Sequence, residues 1–325
     1  MKAPKIVVIG GGTGLPVILN SLSRYYMNLS AIVTVADDGG SSGDLRQAMN
    51  IAPPGDLRNV LISMSDLPAF YENLFQYRFR TEDSYLANHS LGNLIIAAIA
   101  EMQGSTYNAI QLLSHMMNTR GKIYPSSEAA LTLHAVFQDG VEIVGESKIA
   151  NYKGKIDHVY VSNSYNDDKP RAARKVVQTI LDADLIVMGP GSLFTSVLPN
   201  LVIDEVKQAI LDTKAERAYI CNIMTQRGET EYFTDADHVR MINQHVGSKI
   251  VDTVLVNIEP VPKEYMNSNK FDEYLVQVSH DFDSLRKEGC RVISANLLKL
   301  ENGGAFHDGD KVTEELMRLA GVKRG

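Results

Sequence analysis

The 325-residue chain predicts an α/β fold with a mostly parallel sheet. Three observations predict it. Ile6–Ile9 is an apolar, β-forming run that enters Gly10-Gly11-Gly12-Thr13-Gly14, and apolar residues then recur at 15, 18, 19 and 22, the spacing of a helix. Ala183–Met188 enters Gly189-Pro190-Gly191-Ser192 in the same manner. Strand-like and helix-like runs alternate over most of the length, the pattern of a sheet covered by helices.

The first glycine loop is a candidate phosphate cradle. Glycines let the backbone turn sharply and let a phosphate approach the amides. The helix that follows adds unpaired N–H groups and a partial positive charge. The G-x-G-x-x-G dinucleotide fingerprint is incomplete, because Leu15 stands where its third glycine belongs. That weakens an NAD reading and leaves the anion-binding reading intact. The lysine of a Walker loop is absent as well.

Taken in order, the next strand is expected at Ala31–Ala36, followed by a loop through Asp37-Asp38-Gly39-Gly40-Ser41-Ser42-Gly43. Asp37 and Asp38 then stand at a strand's carboxyl end, where a doubly wound sheet lines its ligand crevice. They suit ribose hydroxyls, a Mg²⁺ ion or an ordinary Asp-Gly turn. Pro53-Pro54-Gly55 leads to Asp56, read as the cap of a helix over Leu57–Ser65. Arg58 and Asn59 fall in its first turn. Arginine opposes the dipole there, so Arg58 either meets an anion or pairs with Asp56 on the surface.

Pro68–Arg80 reads as a helix carrying Phe70, Tyr71, Phe75, Tyr77 and Phe79, a pattern of core or subunit contact. Asn88, His89, Ser90 and Asn93 either cap the apolar helix Leu94–Glu101 or face a ligand. With Tyr107–Met117, these helices form an insertion at about 57–118. Ala130–Phe137 and Val141–Ser147 flank Gln138-Asp139-Gly140 as a hairpin, and Ile156–Val161 is a further strand. A helix follows at Pro170–Leu181, with Arg171, Arg174 and Lys175 on it.

In the second glycine loop, Gly189, Gly191 and Ser192 offer amides and a hydroxyl at a helix start. Two such loops suggest a ligand with two ends, or a crevice between them. The helix Ile203–Asp212 and the strand Ala218–Ile223 come next, with Asn222 placed to read a base or sugar. A helix at Asp235–His245, strands at Thr253–Asn257, Leu275–Val278 and Arg291–Ser294, and a helix at Asp310–Ala320 complete the order. No proline- or serine-rich linker interrupts it, so a single nucleotide-binding domain over residues 1–325 is expected.

Bulk properties narrow the function. A net charge of −7 and no long basic block argue against a nucleic-acid partner. No apolar run approaches the ~20 residues of a membrane span, and the N-terminal run is broken by glycines, unlike a signal peptide. The two cysteines, Cys221 and Cys290, lie far apart and read as reduced thiols of a cytoplasmic protein. The aromatic helix offers a self-association surface, which allows a homodimer.

GGGTGL at 10–15, TVADDGGSSGDLR at 34–46, PPGDLRN at 53–59, NHSLGNL at 88–94 and GPGSLFTSVLPN at 189–200 together resemble the bacterial gluconeogenesis factor family, the YvcK-type proteins. These are relatives of 2-phospho-L-lactate transferase (CofD), and the resemblance covers essentially the whole chain. It implies a Rossmann-like CofD core and a cytoplasmic protein that binds a UDP-sugar such as UDP-N-acetylglucosamine. It also implies a role in growth on gluconeogenic carbon, in cell shape and in cell-wall integrity, with cell-wall synthesis proteins as partners. The alternative it implies is a Mg²⁺-dependent transfer of a phosphoryl-linked group from a nucleotide donor. NAD is left as an occupant of the crevice. Carried onto this chain, the binding residues are Gly10, Gly11, Gly12, Thr13 and Gly14, with Asp37 and Asp38 beside them. Gly189, Gly191 and Ser192 form the second loop. Asp56, Arg58 and Asn59 face the same cleft, and no catalytic nucleophile is assigned.

Overall fold

A computed structural model describes residues 3–25, 27–80, 86–266 and 274–321. Residues 81–85 of the expected insertion, and the extreme ends of the expected 1–325 domain, lie outside them.

Seven parallel strands form the central sheet, in the spatial order Arg291–Ala295, Thr253–Asn257, Glu216–Ile220, Leu185–Met188, Lys5–Gly10, Asn28–Val33, Lys122–Pro125. The chain starts in the middle, builds outward through Asn28–Val33 to Lys122–Pro125, then returns to the other side of its first strand. That reversal is a topological switch point, where open α/β sheets bind ligands beyond the strands' carboxyl ends. Ile6 pairs with Leu185 and Ile9 with Met188. The two glycine loops therefore leave the sheet side by side. Ile6, Val8, Ile9, Ile32, Leu185, Ile186 and Val187 are wholly buried, as strands covered on both faces require.

The second strand lies three residues earlier than its apolar run suggests, at Asn28–Val33. Its register with Lys5–Gly10 ends at the Gly10–Val33 pair, where the glycine loop turns away. The expected loop at 37–43 stops at Gly39, and a helix runs from Gly40 to Met49. Glycine and serine hide it in the sequence; Arg46 anchors it by donating to the carbonyls of Ala36 and Asp37 and to the hydroxyls of Thr132 and Ser164.

The region from 55 to 116 contains the helices Gly55–Met64, Ala69–Gln76, Leu91–Gln103 and Thr106–Met116. Of its aromatics, Phe75 is buried, while Phe70, Tyr71 and Tyr77 are exposed. Leu131–Phe137 pairs antiparallel with Glu142–Val144 as a hairpin, and with Ile156–Asn163 on its other side, in a separate three-stranded sheet. The hairpin's second arm is shorter than expected, because Glu146–Ile149 is a helical turn.

Met224–Gln226 and Tyr274–Gln277 pair apart from the central sheet, and a hairpin of Leu298–Glu301 with Gly304–His307 precedes the helix Gly309–Leu319. Among the described residues, no helix is long and apolar enough to cross a membrane.

Candidate functional site

The two glycine loops open into a cavity of about 880 Å³. Gly12, Thr13 and Gly14 line it from the first loop, and Gly191 and Ser192 from the second. Glu146 and Ser147 form one wall; Asn222, Glu229 and the hairpin residues Lys299 and His307 form another. The volume is in the range of about 300–1,000 Å³ usual for small-molecule sites.

The loops are built for close approach. A Cβ on Gly11 would lie 2.4 Å from Thr34 Cγ2 and 2.7 Å from a carboxylate oxygen of Asp56. Gly12 holds φ at +66°, in the left-handed region. The helix Gly14–Leu22 that follows has no side-chain cap, so its first-turn amides are open to an anion. In the second loop the Gly189–Pro190 bond is cis, and Leu193–Val197 winds as a short π-helix. Ser192 Oγ accepts from the Thr195 amide at 3.1 Å and donates to Glu229.

Asp56 is not the helix cap that the sequence predicts: Pro54 takes that position and Asp56 sits inside the helix Gly55–Met64. Its carboxylate instead accepts from the Gly12 amide at 2.7 Å, so an anion of the chain's own engages the first loop. Burial raises the Asp56 carboxyl from 3.8 to about 6, with Asp37 adding to the rise and the Gly12 amide opposing it. Burial likewise raises Asp37, against hydrogen bonds from the Gly39 amide and Ser42. Glu146 is pushed well above its usual value by burial, and then by the charges of Asp37, Asp56 and Glu229. Four carboxyl groups thus stand close enough to feel one another beside two anion-favouring loops.

Asp37 and Asp38 do not form a pair. Asp38 accepts from the Ser147 amide at 2.9 Å and the Ser147 hydroxyl at 2.7 Å, joining the second strand's end to the cavity wall. Among the described residues, no three His, Cys, Asp or Glu side chains converge to hold a metal ion.

Arg58 lies away from the cavity lining and is neither exposed nor paired with Asp56. It is 4% exposed and donates to Ser90, to Asn93 Oδ1 at 2.8 Å and to Asn59 Oδ1 at 2.9 Å. Burial and the charge of Arg78 lower its pKa to about 10. Ser90 caps the helix Leu91–Gln103. His89 Nδ1 meets Ser41 Oγ at 2.9 Å, and Asn93 donates to the same hydroxyl, so this cluster is a buried network joining three helices. Asn222, expected within the strand Ala218–Ile223, lies two residues past the strand Glu216–Ile220, lines the cavity and bonds Gln226 at 3.3 Å.

Sequence reading missed Glu146, Glu229 and His307. The first two gain their significance from acids distant in sequence. The third sits on a hairpin whose short strands carry no strong alternation.

The family model of 2-phospho-L-lactate transferase CofD matches residues 6–298. The chain belongs to the CofD family. It is 67% identical over 322 residues to a protein named "Putative gluconeogenesis factor" from Streptococcus pyogenes serotype M3, covering 99% of each chain. It is 43% identical over 316 residues to the "Gluconeogenesis factor" of Listeria innocua, covering 97% of this chain and 95% of the other. Among solved structures, it matches Bacillus halodurans BH3568, a protein of the UPF0052 family, with a TM-score of 0.92 and 39% identity over 98% of this chain and 100% of that one. The CofD-like assignment of the fold therefore holds over nearly the whole length.

Proposed function

We propose that this CofD-family chain is a cytoplasmic, nucleotide-sugar-binding regulator that supports growth on gluconeogenic carbon sources and cell-wall morphogenesis. The observation that carries the reading is the pair of glycine loops set side by side at the switch point, opening into one cavity. A diphosphate suits two adjacent helix starts, and the remaining volume suits a base and a sugar. The names of the streptococcal and Listeria relatives supply the gluconeogenic role. Cell-wall synthesis proteins are then the partners to which ligand occupancy is reported.

A Mg²⁺ ion fits this site only together with the ligand. Mg²⁺ commonly uses one or two carboxylates, waters and phosphate oxygens. Asp37 and Asp56 are the carboxylates to share it, since Asp38 is committed to Ser147. A bound cation would supply charge neutralisation for the diphosphate. Glu146 supplies the rest: burial pushes its pKa well above the usual value, which favours its neutral form and lessens repulsion of the ligand. The same acidic set favours the second reading, a CofD-like transfer of a phosphoryl-linked group, where positioning and charge neutralisation dominate.

Complementation tests the regulatory reading. In a strain lacking this protein, the wild-type chain restores growth on a gluconeogenic carbon source, and Gly12→Val, expressed and folded, does not. Equal rescue by both would remove the glycine loop from the function.

A further inference from the structure

The hairpin Leu298–Glu301/Gly304–His307 places one side chain in the cavity with a defined hydrogen-bonding sense. His307 pairs with Leu298 across the hairpin, and its Nε2 lies 3.1 Å from the carbonyl oxygen of Cys221. A carbonyl only accepts, so Nε2 carries the proton. Burial holds the ring's pKa down to about 4, so it is neutral at pH 7 and Nδ1 keeps its lone pair. No group among the described residues is bonded to Nδ1. The ring lines the cavity together with Asn222, which lies past the end of the strand Glu216–Ile220, the neighbour of the strand that enters the second glycine loop. It also lies past residue 298, where the CofD family match stops.

We propose that His307 is a specificity-determining residue of this site, whose Nδ1 accepts a hydrogen bond from an N–H or O–H donor on the ligand's end remote from the phosphates. The inference rests on the nucleotide-sugar reading and sharpens it. Two sources offer such a donor: the imide N–H of a uracil ring, and a hydroxyl or amide of the sugar. A group presenting only acceptors there, such as the N3 face of cytosine, meets a lone pair and is rejected. The Cys221 carbonyl locks the tautomer, so the neutral ring cannot swap its donor and acceptor sides without losing that bond.

The test is calorimetric titration of the full chain and of His307→Phe and His307→Gln with UDP-N-acetylglucosamine, UDP and N3-methyl-UDP. Thermal unfolding of each variant monitors the fold. Wild type is expected to bind UDP-N-acetylglucosamine about tenfold more tightly than His307→Phe, with His307→Gln between them because its amide oxygen still accepts. A uracil donor makes wild type prefer UDP over N3-methyl-UDP by about tenfold, a preference that His307→Phe abolishes. A sugar donor leaves the two UDP forms equal, and the His307→Phe loss is then confined to UDP-N-acetylglucosamine. A merely structural histidine would lower the unfolding temperature without changing either preference. Unchanged affinities in a folded His307→Phe overturn the inference alone. Failure of wild type to bind any of the three overturns the nucleotide-sugar reading and this inference with it.

Discussion

The carboxylate of Asp56 accepts a hydrogen bond from the amide of Gly12 at 2.7 Å, so one donor of the first glycine loop is already engaged by an acid 44 residues away. Asp56 thus supports the loop, and on the proposed nucleotide-sugar reading it competes with the ligand's phosphates for the same amide. Its proton is the variable that decides between them.

Stability follows from that proton. Burial raises the Asp56 carboxyl from 3.8 to about 6. A folded-state pKa above the unfolded one favours folding fully below about pH 4, and the gain is lost as pH rises through about 6. Asp37 and Glu146 shift in the same direction and add to the trend. Asp56→Asn keeps an oxygen to accept from Gly12 and discards the charge. Urea unfolding is expected to show Asp56→Asn more stable than wild type at pH 7.5 by about 1–3 kcal/mol, with the difference vanishing near pH 4. A destabilised variant at pH 7.5 would mean the charged form is the one the fold prefers.

Gly11→Ala tests the loop's packing. Its new Cβ meets Thr34 Cγ2 at 2.4 Å and an Asp56 oxygen at 2.7 Å. Overpacking of this kind costs about 1–3 kcal/mol, read as a lower unfolding midpoint in urea with an unchanged slope.

Arg58→Ala is a stability variant before it is a binding variant. The guanidinium is buried and serves Ser90, Asn93 and Asn59, so its removal orphans buried acceptors. A loss of about 2–4 kcal/mol is expected, and Arg58→Lys does not restore it, because an ammonium lacks the planar fork. Rescue by lysine would show that charge alone matters there.

Cys221 and Cys290 are buried at 2% and 6% exposure, and burial raises both thiols. Neither is expected to react with a thiol-specific dye in the native protein, and both react once urea unfolds it. Fast native-state labelling of either would contradict their burial.

Much of this was legible in the sequence where local chemistry and tertiary role coincide. The runs into Gly10–Gly14 and Gly189–Ser192 are loops because strands end there, and the sheet order makes them neighbours. The apolar run before Asp37 and Asp38 predicts a strand's end there, but the strand stops at Val33 and the two diverge, because Ser147 on the helical turn Glu146–Ile149 captures Asp38. Arg58 misleads locally: its dipole-opposing position suggests an anion, while its partners are the neighbouring Asn59 and, more than 30 residues on, Ser90 and Asn93 at the start of the helix Leu91–Gln103. The helix Gly40–Met49 is invisible to propensity, since Arg46 and burial fix it rather than its glycines and serines. Glu146, Glu229 and His307 reach the cavity through long-range folding, which no spacing rule records.

The most direct measurement is calorimetric titration of the purified chain with UDP-N-acetylglucosamine, UDP-glucose, GDP and NAD, with and without Mg²⁺, alongside Gly12→Val. The account predicts selective uridine binding by wild type, no turnover, and no binding by the folded variant. No affinity for any uridine nucleotide would contradict it, and a Mg²⁺-dependent preference for GDP would make the transferase reading the better one.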